Sequence, residues 1–146
     1  MIKLTAKHES FPIAGTFTIS RGSKTTVEVV VVELTENGVT GRGECVPYAR
    51  YGESIASVMA QIQEMEGALG QGMDRHALND AMPAGAARNA IDCALWDLDA
   101  KRSGMPAWKA AGFSQAPQAL VTAYTLSLDT PENMAKAAEK NASARC

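Results

Sequence analysis

Aromatic residues are scarce: three Phe, three Tyr and two Trp in 146 residues. So few rings offer no platform for stacking bases, and no block of Lys or Arg supplies a phosphate-binding face. Formal net charge is −2, with both signs scattered along the chain. Neither nucleic acid nor an acidic membrane surface is an expected partner. Long apolar runs are missing too: Val29 to Val32 is far too short to cross a bilayer. Met1-Ile2-Lys3-Leu4-Thr5 has no apolar h-region of a signal peptide, so a cytoplasmic location is expected. The three cysteines, Cys45, Cys93 and Cys146, form no CxxC or Cys/His cluster, which argues against a zinc site and for reduced thiols. His8 and His76 show no ligand spacing and read as surface residues.

What is present is globular in character, with 46% apolar and 21% charged residues, enough for one domain with a core. The first third reads as β. Thr25 to Leu34 is rich in β-branched residues and runs into Glu36-Asn37-Gly38, with Val39 to Glu44 following. Asn-Gly between two such runs is a strong hairpin signal. An earlier strand over Lys3 to Glu9 would complete a three-stranded antiparallel sheet. Phe11 to Gly15 and Ser20 to Ser23 have loop composition.

The middle reads as α. Ile55, Val58, Met59, Ile62, Met65 and Leu69 follow helical spacing after Glu53-Ser54, and Gly70 and Gly72 end the run. A shorter helix is predicted over Asp74 to Ala81, stopped by Pro83. In the third helix, Ala86 to Arg102, apolar residues including Cys93 and Trp96 cover a wide arc. Such a helix should be packed on more than one side, at the centre of the domain. Asp97 falls inside that arc as a hydrogen-bonded acid, while Asp92 and Asp99 fall on the polar side. Those angles keep the three carboxylates from converging on a metal. Cys45 and Cys93 read as packing residues. Ser103 to Pro106 is a stop, and Ala107 to Ala111 reads as one short turn.

After Gly112 the composition shifts. Phe113 to Gln118 reads as a linker, Leu120 to Leu128 as a mostly buried strand, and Pro131 to about Asn141 as a helix with Thr130 or Asp129 as cap. A βα unit needs a second parallel strand, so the chain is expected to be incomplete. Two loops are candidate contact surfaces. Arg21 sits between Gly15 and Gly22, and an Arg can grip a carboxylate bidentately. Pro47 to Gly52 carries Tyr48, Arg50 and Tyr51. Gly41-Arg42-Gly43-Glu44 lacks the third glycine and following helix of a phosphate loop, and reads as hairpin.

Gly43 to Tyr48 after the Asn-Gly hairpin, and Ala86 to Lys101 with its Ala-x-Asp-x-Ala-x-Trp-Asp-Leu pattern, resemble the capping domain of enolase-superfamily enzymes of the muconate-lactonizing subgroup. Tyr124 to Leu128 and Thr130 to Met134 resemble the first barrel strand and helix. The Phe17 to Ser23 loop, and Pro47 to Ser54 followed by Pro83 to Ala90, look like those of the dipeptide epimerases that interconvert L-Ala-L-Glu and L-Ala-D-Glu in peptidoglycan recycling.

This resemblance implies an α+β fold: an enolase-like capping domain over residues 1–112, then the start of a truncated TIM-type barrel over 113–146. It implies that Arg21 approaches the substrate's acidic side chain and that Thr125 touches the substrate, with Tyr48, Arg50 and Tyr51 as a further specificity loop. The family's chemistry is proton abstraction next to a carboxylate by lysines, with Mg²⁺ held by three acids stabilising the enediolate. Neither the catalytic lysines nor the metal ligands fall within this chain, so the fragment alone is expected to be inactive and to bind no metal. A dipeptide is the implied partner, and a full-length enzyme could form a homo-oligomer. The alternatives are a fragment of a muconate cycloisomerase or an o-succinylbenzoate synthase, or a non-catalytic binding module.

Overall fold

The computed structural model describes residues 1–142. The Cys146 thiol and the rest of the closing segment lie outside the described residues. The architecture is α+β. Strands β1 (Lys3–Ile19), β2 (Gly22–Glu36) and β3 (Val39–Cys45) form one sheet in that order. Helices α1 (Ile55–Glu64), α2 (Glu66–Gly70), α3 (Arg75–Ala81), α4 (Ala86–Ser103) and α5 (Ala107–Ala110) follow, and α6 (Pro131–Asn141) comes last. The chain divides into two compact units. Among the described residues, one comprises 1–10 and 28–116, the other 11–27 and 117–142.

The core of the first unit is built by strand alternation. Val30, Val32 and Leu34 are fully buried, and across the antiparallel ladder they face Cys45, Gly43 and Gly41. Asn37 and Gly38, at φ 50° and 81°, form the tight turn that the Asn-Gly pair predicts. The two glycines of β3 matter for what lies above them. A β-carbon at Gly43 would collide with the Ala90 carbonyl oxygen and lie 2.8 Å from the Ala94 amide nitrogen. One at Gly41 would strike the Ala94 carbonyl and lie 2.6 Å from the Leu98 β-carbon. Backbone therefore rests on backbone, with Ala90 and Ala94 as the small partners on the helix. Helix α4 also packs on α1, α3 and α5, so it is the central helix that its apolar arc predicts.

The buried face of α4 is narrower than that arc. Ala87, Ala90, Ile91, Ala94, Leu95 and Leu98 are buried, whereas Trp96 is half-buried and Cys93 exposed. The packing role expected for Cys93 is thus corrected: of the two cysteines among the described residues, Cys45 is buried and Cys93 is exposed. Cys93 belongs to the row Asn89, Cys93, Asp97, Lys101, which overhangs the open edge of β3 instead of its face. Asp97 accepts from the Arg42 backbone N–H at 2.8 Å, and Lys101 donates to the Thr40 carbonyl at 2.9 Å. Asn89 makes a longer contact, 3.5 Å, to the Glu44 carbonyl. Side chains of the helix thus satisfy backbone groups that an edge strand leaves open.

The helix ends follow local chemistry. Ser54 and Ser57 form a reciprocal capping box on α1, and Asp74 caps α3 by accepting from Ala77 N–H at 2.8 Å. The single helix expected up to Leu69 is two, because Met65 N–H turns to Ile62 O at 3.1 Å in a tighter turn. Gly70 still ends the second one. On the outer side of α4, Arg75 lies 3.3 Å above the Trp96 ring and 3.6 Å from Asp99.

Two further expectations change. The loop predicted from Phe11 to Ser23 is strand on both sides of a turn at Ser20 and Arg21, so β1 runs to Ile19 instead of ending at Glu9. Pro12 falls on β1, an edge strand, the place in a sheet to which proline is usually confined. Thr18 and Ser23 hydroxyls, 2.9 Å apart, join the two arms. In contrast, Leu120 to Leu128 is no buried strand. It has no ladder, and Leu120 and Val121 are 84% and 98% exposed. β-Branched composition makes a strand only where a partner supplies its hydrogen bonds. Helix α6 forms as predicted, with Pro131 in the first turn and Thr130 Oγ1 accepting from Asn133 N–H at 3.3 Å.

Gly43→Ala should destabilise the chain by about 3 kcal/mol, because the helix backbone must retreat. Gly67→Ala should stabilise it by about 0.5 kcal/mol, since Gly67 lies in α2 with open space around its β-carbon position. Urea unfolding followed by circular dichroism measures both. A pH dependence follows from Asp97. Its partial burial alone would raise the carboxyl, but the Lys101 ammonium and the Arg42 N–H outweigh it and hold the group below the ordinary carboxylate value. A lowered folded-state value adds stability that is complete above about pH 4 and is lost as pH falls through the lowered value. Asp97→Asn should flatten the acid limb of the urea midpoint below about pH 4.

Candidate functional site

In the first unit, β3 delivers the chain to Val46-Pro47 and then to a 3₁₀ turn, Ala49–Tyr51. Gly52, at φ 75°, closes that turn in the left-handed region, its N–H bonded to Ala49 O at 3.0 Å. Tyr48 is half-buried and Tyr51 is 76% exposed, with ring centroids 5.7 Å apart. Arg50 points from the exposed side of the turn. Beneath the rings is a shallow open hollow lined by Cys45, Val46, Glu53, Ala86 and Asn89 as well as the tyrosines. Burial, with Glu53 nearby, pushes the Cys45 thiol up to about 11, so it lines the hollow as a neutral group.

Glu53 holds this loop. One carboxylate oxygen accepts from Tyr48 N–H at 3.0 Å, and the other accepts from Ala86 N–H at 2.7 Å. Gly85, the residue before α4, supplies no side-chain cap, so Glu53 caps the central helix from a distance in sequence and ties the tyrosine turn to it. In the sequence Glu53 stands at the start of a helical segment and near the end of the Pro47 to Ser54 loop, with no expected role as a cap. The signal was available in part, since a Gly at the N-cap position leaves helix N–H groups for another residue.

In the second unit, Arg21 is at the apex of the β1–β2 hairpin, exposed. Among the described residues its guanidinium has no hydrogen-bond or ion-pair partner. Thr125 is also exposed, in the segment without regular structure before α6. The two belong to the same unit, joined by hydrogen bonds at Thr16, Thr18, Ser127 and Leu128. Asp129 accepts from Asn133 Nδ2 at 3.0 Å and from Thr130 N–H at 2.7 Å, which holds its carboxyl below the usual range.

Among the described residues no three His, Cys, Asp or Glu side chains gather to hold a metal ion. Asp97 is engaged by Arg42 and Lys101, and Asp99 by Arg75, while Asp92 lines an adjoining polar hollow with Asn79 and Arg88 that shares Gly85 and Asn89 with the hollow beneath the tyrosines. No helix of the described residues is long and apolar enough to cross a membrane.

The hairpin sheet, the Trp-Asp-Leu helix laid on its glycines and the two loops correspond to a known pattern. Residues 1–112 match the model of the mandelate racemase / muconate lactonizing enzyme family, N-terminal domain. The chain belongs to this family. It is 49% identical over 130 residues to the L-Ala-D/L-Glu epimerase of Escherichia coli K12, a match that covers 89% of this chain and 40% of that protein. It is similar, at 50% identity and a TM-score of 0.92, to an enolase family member from Agrobacterium tumefaciens with homology to dipeptide epimerases, solved with bound sodium and L-Ala-L-Glu; 97% of this chain and 43% of that one are covered. A dipeptide epimerase from Enterococcus faecalis V583, complexed with Mg and L-Leu-L-Tyr, matches at 28% identity and a TM-score of 0.82, over 97% of this chain and 42% of that one. The chain thus spans about 40% of the length of the relatives it matches.

For this mandelate racemase-type domain, the Trp-Asp-Leu signature is explained by packing and edge capping: Leu98 is buried and Asp97 holds β3. Glu53→Ala should free both Tyr48 and Ala86 N–H groups and lower stability by about 1–2 kcal/mol. Amide exchange at those two positions, set beside the urea midpoint, measures it. Equal exchange in parent and variant would remove Glu53 from this role.

Proposed function

We propose that this chain is the cap-bearing N-terminal part of a dipeptide epimerase that acts on L-Ala-L-Glu and L-Ala-D-Glu. In this reading residues 1–112 are the cap and 113–146 begin the barrel. The observation that carries the reading is the 49% identity over 130 residues to an enzyme of that name. The chemistry of the exposed residues agrees with it. Arg21 is a free bidentate donor suited to the carboxylate of a Glu side chain, and Thr125 offers a hydroxyl in the same unit. Tyr48, Arg50 and Tyr51 form a second contact loop with one more cation.

Epimerisation needs a base on each side of the α-carbon and a positive charge opposite the substrate carboxylate. Mg²⁺, when bound, supplies such a charge. The described residues do not form a metal-binding set, so no step of the reaction is assigned to them. Their part is to bind the dipeptide and select its second side chain.

The test joins residues 1–142 to the remaining length of the E. coli relative and follows exchange of the substrate α-proton for deuterium by NMR. Activity on L-Ala-L-Glu is expected with Mg²⁺, and none from the 146-residue chain alone. In the joined protein, Arg21→Ala should lower kcat/KM for L-Ala-L-Glu by about 10–100-fold, the worth of a charge-assisted pair. Turnover of L-Ala-L-Leu should change less than about threefold. Equal losses for both dipeptides would sink the specificity role of Arg21, and exchange by the short chain would sink the division of labour.

A further inference from the structure

The two candidate substrate residues of the second unit lie far apart in sequence, on segments of different kinds. Arg21 is carried by a hairpin apex, and an apex on two long strand arms can swing unless something holds it. Thr125 is in a segment without a ladder. Yet the two segments meet at one small knot. Ser127 Oγ accepts from the Thr18 backbone N–H at 2.9 Å and donates to the Thr16 carbonyl at 3.1 Å. Leu128 N–H donates to the Thr18 carbonyl at 2.8 Å. Both backbone groups of Thr18 are therefore engaged by residues 127 and 128.

The hydroxyl of Ser127 does here what a peptide group does in a ladder: it accepts one hydrogen bond and donates another. No other side chain of the segment from Leu120 to Leu128 makes a hydrogen bond to the hairpin among the described residues. Thr18 lies three residues before Arg21, and Ser127 two residues after Thr125. The knot is thus the point at which the two segments are tied to each other.

We propose that Ser127 is a positioning residue that sets the Arg21 hairpin in register with the Thr125 segment. Its link to substrate selection rests on the functional reading above, whereas the clamp itself does not. A backbone-only pairing between the segments would leave the register free to slip, because the Leu120 to Leu128 segment has no ladder of its own to fix it. A hydroxyl that must reach two specified backbone groups permits one register.

The test uses the ¹⁵N-labelled 146-residue chain and amide exchange read by NMR at one pH and temperature. In the parent, the Thr18 amide should exchange at least about tenfold more slowly than that of Val121, which is 98% exposed and makes no hydrogen bond. Equal rates would overturn the proposal without any variant. Ser127→Ala should speed exchange at Thr18 by about tenfold. Ser127→Thr, which keeps the hydroxyl, should bring it back to within about threefold of the parent. Val32 and Ile91, in the core of the other unit, should keep parental rates in both variants. No change at Thr18 in Ser127→Ala, or no recovery in Ser127→Thr with the core intact, would overturn the clamp. The measurement needs no turnover, so failure of the epimerase assay and failure of this proposal are separate results.

Discussion

The first unit depends on one contact, the seating of α4 on β3 with no side chain between them. Gly41 and Gly43 bring the strand backbone against Ala90, Ala94 and Leu98 of the helix. Because the atoms met are mostly helix backbone, no smaller residue on the helix can make room for a larger one on the strand. The rest of the core is arranged around this seat. Val30, Val32 and Leu34 fill the space beside the glycines, and α1 and α3, which carry the buried Ile62 and Leu78, close the sides of the helix. The close approach also brings the carboxylate of Asp97 and the ammonium of Lys101 within reach of β3's open edge, where they finish its hydrogen bonding.

Much of this was legible in the residues. The Asn-Gly turn, the caps at Ser54 and Asp74 and the start of α6 at Pro131 are local, and local chemistry decides them. The central place of α4 followed from its apolar arc. What failed were decisions made by partners distant in sequence. The Phe11 to Ser23 stretch has loop composition, but once its arms pair, only Ser20 and Arg21 remain as turn. Leu120 to Leu128 has the composition of a strand and finds no ladder. Cys93 looked interior because periodicity alone does not say where a strand ends beneath a helix. Its row passes over the strand edge, not the sheet face.

The candidate site divides in the same way. Arg21, Tyr48, Arg50 and Tyr51 are proposed on residue type and family resemblance and Thr125 on resemblance alone; Tyr48 is half-buried and the other four are exposed. The residues that hold them, Glu53 and Ser127, escaped the reading because each acts through backbone groups. A single carboxylate serves both the Tyr48 turn and the first turn of α4, and a single hydroxyl serves both Thr16 and Thr18. Short polar side chains of this kind look like ordinary surface residues until the backbone geometry is known.

The seat of α4 on β3 has a consequence for the lengths the two elements can have. Two residues of an antiparallel strand advance by about 6.8 Å, and four residues of an α-helix by about 6.0 Å. Gly41 meets Ala94 and Leu98, while Gly43 meets Ala90 and Ala94, so the elements run in opposite directions and step almost in unison. The mismatch accumulates at about 0.8 Å per step, so the seat can be held for only a few steps before helix and strand part company. Insertion or deletion of one residue between Ala90 and Leu98 would turn half the helix by about 100° and present a side chain, not the gap between side chains, to a glycine. Viable length changes in this pair would therefore come in a ratio of two strand residues to four helix residues, a rule set by geometry and indifferent to what the loops beyond it bind.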